Sequence, residues 1–258
     1  MLLGKAVDYK DSYDPTLLFP IKREQTVIFG ADLWTGYELS WLEPHGKPCV
    51  AIFHLQVPAD SPFLIESKSL KLYLNTLNQT RFASVDILKE TLEQDISRSC
   101  GKKVKIWIVL PKDFQKLGMA PLKGICIDSQ DISCGDYTCS PKFLKTGQEI
   151  VDETLTSDLL RSNCPVTGQP DWASVQISYR GKKICREGLL RYLVSFRKEN
   201  EFHEMCVEKI FSDLTKYCMP QRLYVFARFT RRGGLEINPY RASHPSDLPD
   251  RLIRDIRQ

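Results

Sequence analysis

The 258-residue sequence has no apolar run of eighteen residues, so no transmembrane helix is expected. The N-terminal stretch MLLGKAVDYKDSYDP turns polar after its first three residues and lacks the apolar core of a signal peptide, so a cytoplasmic location is expected. Net charge is also low, at +4, and this mild excess does not indicate nucleic-acid binding. The 42% hydrophobic and 26% charged residues are typical of a globular protein with one large or two small domains.

The sequence also lacks any Cys-x-x-Cys pair, although it has nine cysteines spread from Cys49 to Cys218. In a cytoplasmic protein of this size, we expect most of them to be free, buried and inert. Cys126, Cys134 and Cys139 lie close together in the sequence, but no histidine nearby would complete a four-ligand zinc site. No metal is therefore expected.

Two segments share a pattern that predicts strands. Residues 46–57 and 168–181 both open with Gly-x-Pro and continue with alternating apolar and polar residues. Phe53 in the first segment corresponds to Val175 in the second. A period of two predicts that each strand has one buried face.

Each of these segments is followed by apolar residues at the spacing i, i+3, i+4, i+7, which predicts one face of a helix. These residues are Leu70, Tyr73, Leu74 and Leu77 in the first half and Leu189, Tyr192, Leu193 and Phe196 in the second. A second helix is predicted near 84–99 and near 203–216. Strands are predicted near 103–110 and 222–230.

Each half is therefore predicted to contain two strands, two helices and two further strands. The order predicts an α+β fold in which a duplicated module packs its helices on one face of an antiparallel sheet. We place the two modules at 1–145 and 146–258. The linker is predicted near 112–160, where the sequence contains Gly, Pro and Ser and shows no clear period in its central part.

Cys164 lies in SNCPVTGQPDW, a segment whose two prolines and glycine predict a rigid loop. A reactive thiolate needs a nearby group that carries its proton, and Asp171 and His203 are the candidates. Trp172 is expected to shield the Asp171 carboxyl from water, so that it can act as an acid. The alternative is a buried structural cysteine beside a turn-forming aspartate, and the segment alone leaves both open.

His203 and Glu204 open the last predicted helix. A glutamate in the first turn is favoured by the helix dipole, which alone would explain its presence. The functional alternative is a carboxylate that accepts two parallel N–H bonds from a guanine-like ring.

The segment Arg231-Arg232-Gly233-Gly234 concentrates positive charge after a predicted strand. Two glycines allow close approach of a ligand to the backbone, and two arginines can bind phosphate. A hairpin turn with solvated charges is the alternative. Lys68 and Lys71 could add phosphate contacts or could lie on the exposed face of their helix.

Four stretches carry a resemblance to a known family: IESKSLKLYLNTLNQTRF, SNCPVTGQPDWASVQISY, FHEMCVEKIF and RRGGLEINPYR. Together they resemble the long, two-module form of the NADPH-dependent 7-cyano-7-deazaguanine reductases, the nitrile reductases of the queuosine pathway. The resemblance extends from about residue 25 to 245. It implies the tunnel fold, which is shared with GTP cyclohydrolase I, in two tandem modules at 1–145 and 146–258. It also implies a homodimer without metal, because sites in this fold form where modules or subunits meet.

The resemblance further implies which residues carry the chemistry. Cys164 matches the nucleophile that adds to the nitrile carbon, and Asp171 matches the proton donor. The substrate implied is 7-cyano-7-deazaguanine, the cofactor is NADPH, and neither a nucleic acid nor a membrane is an expected partner. The expected substrate contacts are Ile65, Glu66, Ser67, His203 and Glu204. The expected NADPH contacts are Ser67, Lys68, Arg232 and Gly233, which agrees with the lack of a Rossmann glycine motif.

Two other functions are compatible with parts of the sequence. One is a non-redox tunnel-fold enzyme that acts on a pteridine or purine, although no zinc ligand set is evident. The other is a nucleotide- or RNA-binding module that uses the basic stretch 228–241.

Overall fold

The computed structural model describes residues 9–24, 29–135, 137–245 and 248–258. Within these residues the chain forms twelve strands and four α-helices. The strands are β1 (Pro20–Lys22), β2 (Phe29–Leu42), β3 (Pro48–Pro58), β4 (Phe63–Ile65), β5 (Lys105–Val109), β6 (Gly118–Met119), β7 (Ile125–Cys126), β8 (Thr146–Asn163), β9 (Pro170–Ile184), β10 (Arg222–Phe229), β11 (Leu235–Ala242) and β12 (Ile253–Arg254). The α-helices are α1 (Ser67–Thr76), α2 (Val85–Cys100), α3 (Arg186–Val194) and α4 (His203–Cys218).

The chain divides into two compact units. The first unit is built around residues 31–118 and includes residues 231–236, and the second is built around residues 119–230 and 237–258. The module boundary predicted after residue 145 separates two repeats of the sequence, whereas these units are defined by contacts in the structure. The predicted boundary therefore stays a prediction.

In the first unit, β3 pairs antiparallel with β2 on one side and with β5 on the other. Phe53 and Leu55 are buried, as predicted, but so are Ile52 and His54, which alternate with them along the strand. The prediction of one buried face was therefore wrong for β3. A central strand covered on both sides buries consecutive residues whatever its alternation.

The helices of both units follow the predicted spacing, and all eight apolar positions are buried. In the first unit, the Tyr73 hydroxyl on α1 donates to Asp95 on α2 at 2.7 Å. In the second unit, the Tyr192 hydroxyl on α3 donates to Asp213 on α4, also at 2.7 Å. In each unit, one tyrosine–aspartate hydrogen bond therefore joins the two helices at a position that is otherwise apolar.

The second unit contains a long antiparallel hairpin of β8 and β9, with β10 paired to β9 and β11 paired to β10. Its register runs from Thr146↔Ile184 to Asn163↔Pro170. The predicted linker at 112–160 was therefore wrong beyond residue 145, because residues 146–160 belong to β8. Much of β8 is exposed or only partly buried, so its sequence is polar and lacks the apolar alternation that would predict a strand.

The two halves differ after their helices. The second half continues into β10 and β11, as predicted. In the first half, β5 is followed by a short 3-10 helix, Pro111–Lys116, and by the two-residue strand β6, so the second of the two expected strands is not found there among the described residues. The predicted α+β class with a large antiparallel sheet is confirmed. No helix in the described parts of the chain is both long enough and apolar enough to cross a membrane.

Candidate active site

Cys164 lies at the tip of the β8–β9 hairpin, in the second unit. Its backbone N–H donates to the Gln169 carbonyl at 2.8 Å, and its carbonyl accepts from the Gly168 N–H at 3.0 Å. Gly168 has a φ of 67°, a left-handed conformation that glycine adopts without steric cost. The loop between Cys164 and β9 is thus short and held by its own backbone, as its composition predicts.

The register of the hairpin places Cys164 and Asp171 on one face. Ser162 pairs with Asp171, and side chains two residues apart on a strand share a face. Burial follows this alternation, because Leu160, Ser162 and Cys164 are buried whereas the intervening residues are only partly so. The Cys164 and Asp171 side chains therefore both belong to the buried face of the hairpin, and each residue is 3% exposed.

His203, the first residue of α4, contacts the Asp171 carboxyl. Its Nε2 atom lies 3.3 Å from Asp171 Oδ2. Its ring stacks on Phe229 at the end of β10, with centroids 3.9 Å apart and planes 2° from parallel. The two candidates for carrying the proton of Cys164 are thus in contact with each other.

Trp172 does not shield Asp171, so that expectation was wrong. Neighbouring side chains of a strand point to opposite faces, and Trp172 remains 36% exposed. The guanidinium groups of Arg161 and Arg197 lie 5.5 and 5.3 Å from the centre of its ring, at distances typical of cation–π contacts. His203 covers the Asp171 carboxyl instead.

Glu204 follows His203 in the first turn of α4 and is 3% exposed. One turn later, Glu208 is also buried and pairs with the Arg241 guanidinium at 2.6 Å. A carboxylate that served only the helix dipole would be expected at the surface. Glu204 therefore lies in the interior, where a carboxylate requires specific partners.

In the first unit, Glu66 caps the N-terminus of α1. Its carboxylate accepts from the Lys68 N–H at 2.9 Å and from the Ser69 N–H at 2.7 Å, and the residue is 1% exposed. Ile65, the last residue of β4, is buried beside it, whereas Ser67 and Lys68 are half-buried at the start of the helix. Glu66 therefore has a structural role as a helix cap. Each of its carboxylate oxygens can still accept a further hydrogen bond.

The Arg232–Leu235 segment forms a tight turn in the first unit. The Arg232 N–H donates to the Leu235 carbonyl at 2.9 Å, and the return bond measures 3.3 Å. Gly233 and Gly234 both have positive φ, at 57° and 77°, as a two-residue hairpin turn of this type requires. The hairpin alternative from the sequence is therefore correct for the backbone.

The same turn also bears cations. A Cβ atom added to Gly233 would lie 3.0 Å from Lys71 Nζ, which places the ammonium group of α1 directly beside the glycine backbone. Arg231 lies 5.0 Å from the Tyr37 ring centre. We name Lys71, Arg231, Arg232 and Gly233 the cationic turn. Its charge and bare backbone fit the phosphates of a nucleotide cofactor.

Sequence reasoning missed Phe229 and its supports. The Phe229 N–H donates to Asn238 Oδ1 at 3.1 Å, and its carbonyl accepts from Gln258 Nε2 at 3.1 Å. Gln258 Nε2 also donates to Asn238 Oδ1 at 2.8 Å. No local motif indicates these contacts, because each joins segments that are distant in the sequence.

All nine cysteines lie in the described residues and none forms a disulfide, but only Cys100, Cys164, Cys206 and Cys218 are buried, so burial was predicted for too many of them. Burial raises the pKa of Cys218 to about 11 and that of the half-buried Cys139 to about 12. No cluster of three or more His, Cys, Asp or Glu residues suited to a metal ion occurs among the described residues.

Two protein-family models match the chain. The model described as nitrile reductase, 7-cyano-7-deazaguanine-reductase N-term, matches residues 9–108, and the model of the QueF-like proteins matches residues 170–247. The curated NADPH-dependent 7-cyano-7-deazaguanine reductase of Chromobacterium violaceum is 52% identical, over 99% of this chain and 96% of the relative. The reductase of Burkholderia lata is 50% identical, over 99% and 97%.

Among solved structures, the archaeosine synthase QueF-Like in the apo form aligns with 40% of this chain and 99% of its own. Its TM-score is 0.33 at 16% sequence identity. Family membership therefore depends on the sequence relatives. By its identity to them over nearly its whole length, the chain belongs to the family of NADPH-dependent 7-cyano-7-deazaguanine reductases.

Proposed function

We propose that this protein reduces the nitrile of 7-cyano-7-deazaguanine to the aminomethyl group with two molecules of NADPH, as a cytoplasmic enzyme of queuosine biosynthesis. Identity of 50–52% to curated reductases supports the activity. The single structural observation that supports the chemistry is the shared buried face of Cys164 and Asp171, with His203 in contact with Asp171.

In the proposed first step, the Cys164 thiolate bonds to the nitrile carbon. One π pair of the C≡N bond moves to nitrogen, and Asp171 protonates that nitrogen to give a covalent thioimide. A nitrile is a poor hydride acceptor, whereas the carbon of a protonated thioimide is a good one. The contact of His203 with Asp171 supports a role for His203 in returning a proton to Asp171 between steps.

NADPH, when bound, supplies one hydride to the thioimide carbon and, from a second molecule, one to the imine that follows. Between the two reductions the C–S bond breaks, and its electron pair returns to the Cys164 sulfur. The nitrile thus gains two hydrides and two protons and becomes a primary amine. The protein provides the nucleophile and the acid.

The remaining assignments concern recognition. Glu204 is proposed to accept two N–H bonds from the deazaguanine edge, with His203, Ile65, Glu66 and Ser67 as further substrate contacts. Ser67 and Lys68 are half-buried and so partly accessible, and the positive charge of Lys68 suits a phosphate, which supports their role as NADPH contacts. The cationic turn supports phosphate binding by Arg232 and Gly233, and it adds Lys71 to the predicted set.

We also propose that the two units derive from one duplicated tunnel-fold module and that the protein is a homodimer. The Tyr73–Asp95 and Tyr192–Asp213 hydrogen bonds support the duplication. A second pair supports it too: Thr76 Oγ1 donates to the Tyr73 carbonyl and Ser195 Oγ to the Tyr192 carbonyl, both at 2.6 Å. Light scattering tests the dimer, and the mass of a single chain would contradict it.

The activity is tested by mixing the protein with 7-cyano-7-deazaguanine and NADPH and following the nicotinamide absorbance. We expect two NADPH to be consumed per nitrile. Without NADPH, the intact mass should increase by the mass of the nitrile in wild type and remain unchanged in Cys164→Ala. Absence of NADPH consumption, combined with salt-sensitive RNA binding, would instead favour the RNA-binding alternative.

A further inference from the structure

Asn163 is the last residue of β8 and immediately precedes Cys164. Its backbone N–H donates to the Glu199 carbonyl at 2.8 Å, and its own carbonyl accepts from the Glu201 N–H at 3.0 Å. The end of β8 is thereby paired with residues 199–201, the segment that leads into α4. This pairing lies outside the β8–β9 ladder and adds a third chain segment beside the hairpin tip.

The Asn163 side chain strengthens the same contact. Its Nδ2 atom donates to the Arg197 carbonyl at 3.2 Å and to the Glu199 carbonyl at 3.4 Å, and Oδ1 accepts from Arg161 Nη2 at 3.0 Å. Backbone and side chain therefore use every type of polar group that asparagine has. An amide is required at this position, because the contacts need a two-hydrogen donor and a carbonyl acceptor on one short side chain.

The segment that Asn163 holds is also anchored to α4 itself. Lys209 Nζ lies 3.5 Å from Glu199 Oε2 and 3.9 Å from Glu201 Oε1. His203 begins α4 only two residues after Glu201. The contacts thus run from Cys164 through Asn163 and the 199–201 segment to His203, by a route separate from the buried face that holds Asp171.

We propose that Asn163 is a positioning residue of the reaction, which holds the Cys164 hairpin against the start of α4 and so fixes the sulfur relative to His203 and Asp171. This inference rests on the proposed function, in which Cys164 is the nucleophile. Attack on a nitrile requires the sulfur, the carbon and the acid to be in register, and small displacements of such groups slow reactions strongly. Asn163 touches no reacting atom and acts through its neighbours.

The test compares Asn163→Ala and Asn163→Asp with the control Asn200→Ala. Aspartate keeps the size and the acceptor of asparagine but loses both amide hydrogens, and it serves if the alanine variant does not fold. Asn200 lies in the same segment with an exposed side chain. Two rates are measured on folded protein without NADPH: covalent adduct formation with 7-cyano-7-deazaguanine, by intact mass, and alkylation of Cys164 by iodoacetamide, by peptide mapping.

We expect opposite changes in the two rates. Loss of the amide should slow adduct formation about tenfold, since the groups are no longer in register, and should speed alkylation of Cys164 several-fold, since a buried thiol becomes more accessible. Asn200→Ala should leave both rates within about twofold of wild type. If adduct formation in both Asn163 variants stays at the wild-type rate, or if both rates fall together, the positioning role is wrong. Absence of any adduct in wild type would instead refute the proposed function. In that case, faster alkylation of Cys164 in the variants would still show that the Asn163 hydrogen bonds hold the hairpin tip in place.

Discussion

His203 Nε2 lies 3.3 Å from Asp171 Oδ2, and the two side chains are only 11% and 3% exposed. A buried contact between an imidazole and a carboxyl group lets a proton move between them without passing through bulk solvent. Within the described residues, His203 Nδ1 is buried without a hydrogen-bond partner. A polar group of the substrate that reached this atom would satisfy it, as the proposed contact between His203 and the substrate requires.

Asp171→Asn should lower kcat by a factor of about 10² to 10⁴, the usual contribution of a general acid, while changing substrate KM by less than about threefold. The amide keeps the shape of the carboxyl group but cannot deliver a proton. Steady-state kinetics with saturating NADPH measure both constants. Equal losses in kcat and in substrate affinity would show that Asp171 binds the substrate instead of protonating it.

Phe229→Leu should lower kcat about tenfold, because the His203 ring loses the aromatic surface that fixes its plane. The matched control is Phe226→Leu, which changes a second buried phenylalanine of β10. Each substitution should reduce the free energy of unfolding by about 1 to 1.5 kcal/mol, measured by urea denaturation. If the two variants lose the same activity, the stack on His203 has no specific effect on the reaction.

Much of this structure could be predicted from the sequence, for reasons that particular residues make clear. The helical spacing of Leu70 and Tyr73 is local, and so is the rigid composition around Cys164, so both were predicted correctly. The contact of His203 with Phe229 joins α4 to β10, and no pattern within either segment encodes it. The burial of His54 on the second face of β3 was also not predicted, because the residues that cover this face come from other parts of the sequence. The proposed roles came from family resemblance.

Arg232→Ala and Lys71→Ala should each raise the KM for NADPH about tenfold, equivalent to about 1.4 kcal/mol of binding free energy, with a smaller change in the KM for the nitrile. Each variant removes one charge of the cationic turn. Lys89→Ala is the control, since this lysine lies half-exposed on α2, 3.9 Å from Glu93. If the KM for the nitrile changed more than the KM for NADPH, the cationic turn would be reassigned to substrate binding. The effect should shrink as salt screens the remaining charges.

Exposed cysteines should react with iodoacetamide before buried ones. Cys126 and Cys185 are exposed, whereas burial raises the pKa of Cys139 to about 12 and that of Cys218 to about 11. Since only the thiolate reacts, a thiol with a pKa of about 12 is ionised in roughly one molecule in 10⁴ at pH 8. Time-resolved peptide mapping should therefore find Cys126 and Cys185 alkylated first. Early alkylation of Cys218 would contradict the packing around the end of α4.

Alkaline pH should destabilise the protein through the Tyr73–Asp95 and Tyr192–Asp213 hydrogen bonds. Burial, and then the carboxylate beside each hydroxyl, raise the pKa of Tyr73 and Tyr192 above the usual value of 10. The native state therefore keeps these protons when the unfolded state loses them, so the stabilisation is complete below about pH 10 and is lost as pH rises further. At about pH 11 each tyrosine should account for a loss of about 1.4 kcal/mol in the free energy of unfolding.

Urea denaturation at about pH 8 and about pH 11 measures that loss, and comparison of two variants separates it from the titration of lysines, which ionise in the same range. The double variant Tyr73→Phe/Tyr192→Phe is less stable at the lower pH, because each aspartate loses a donor, but its stability should fall less between the two pH values. Tyr217→Phe, which changes a tyrosine that is 41% exposed, should fall as much as wild type does. An equal fall in the double variant and in Tyr217→Phe would mean that the buried hydroxyls do not resist ionisation, and the packing of α1 on α2 and of α3 on α4 would then be looser than the two hydrogen bonds require.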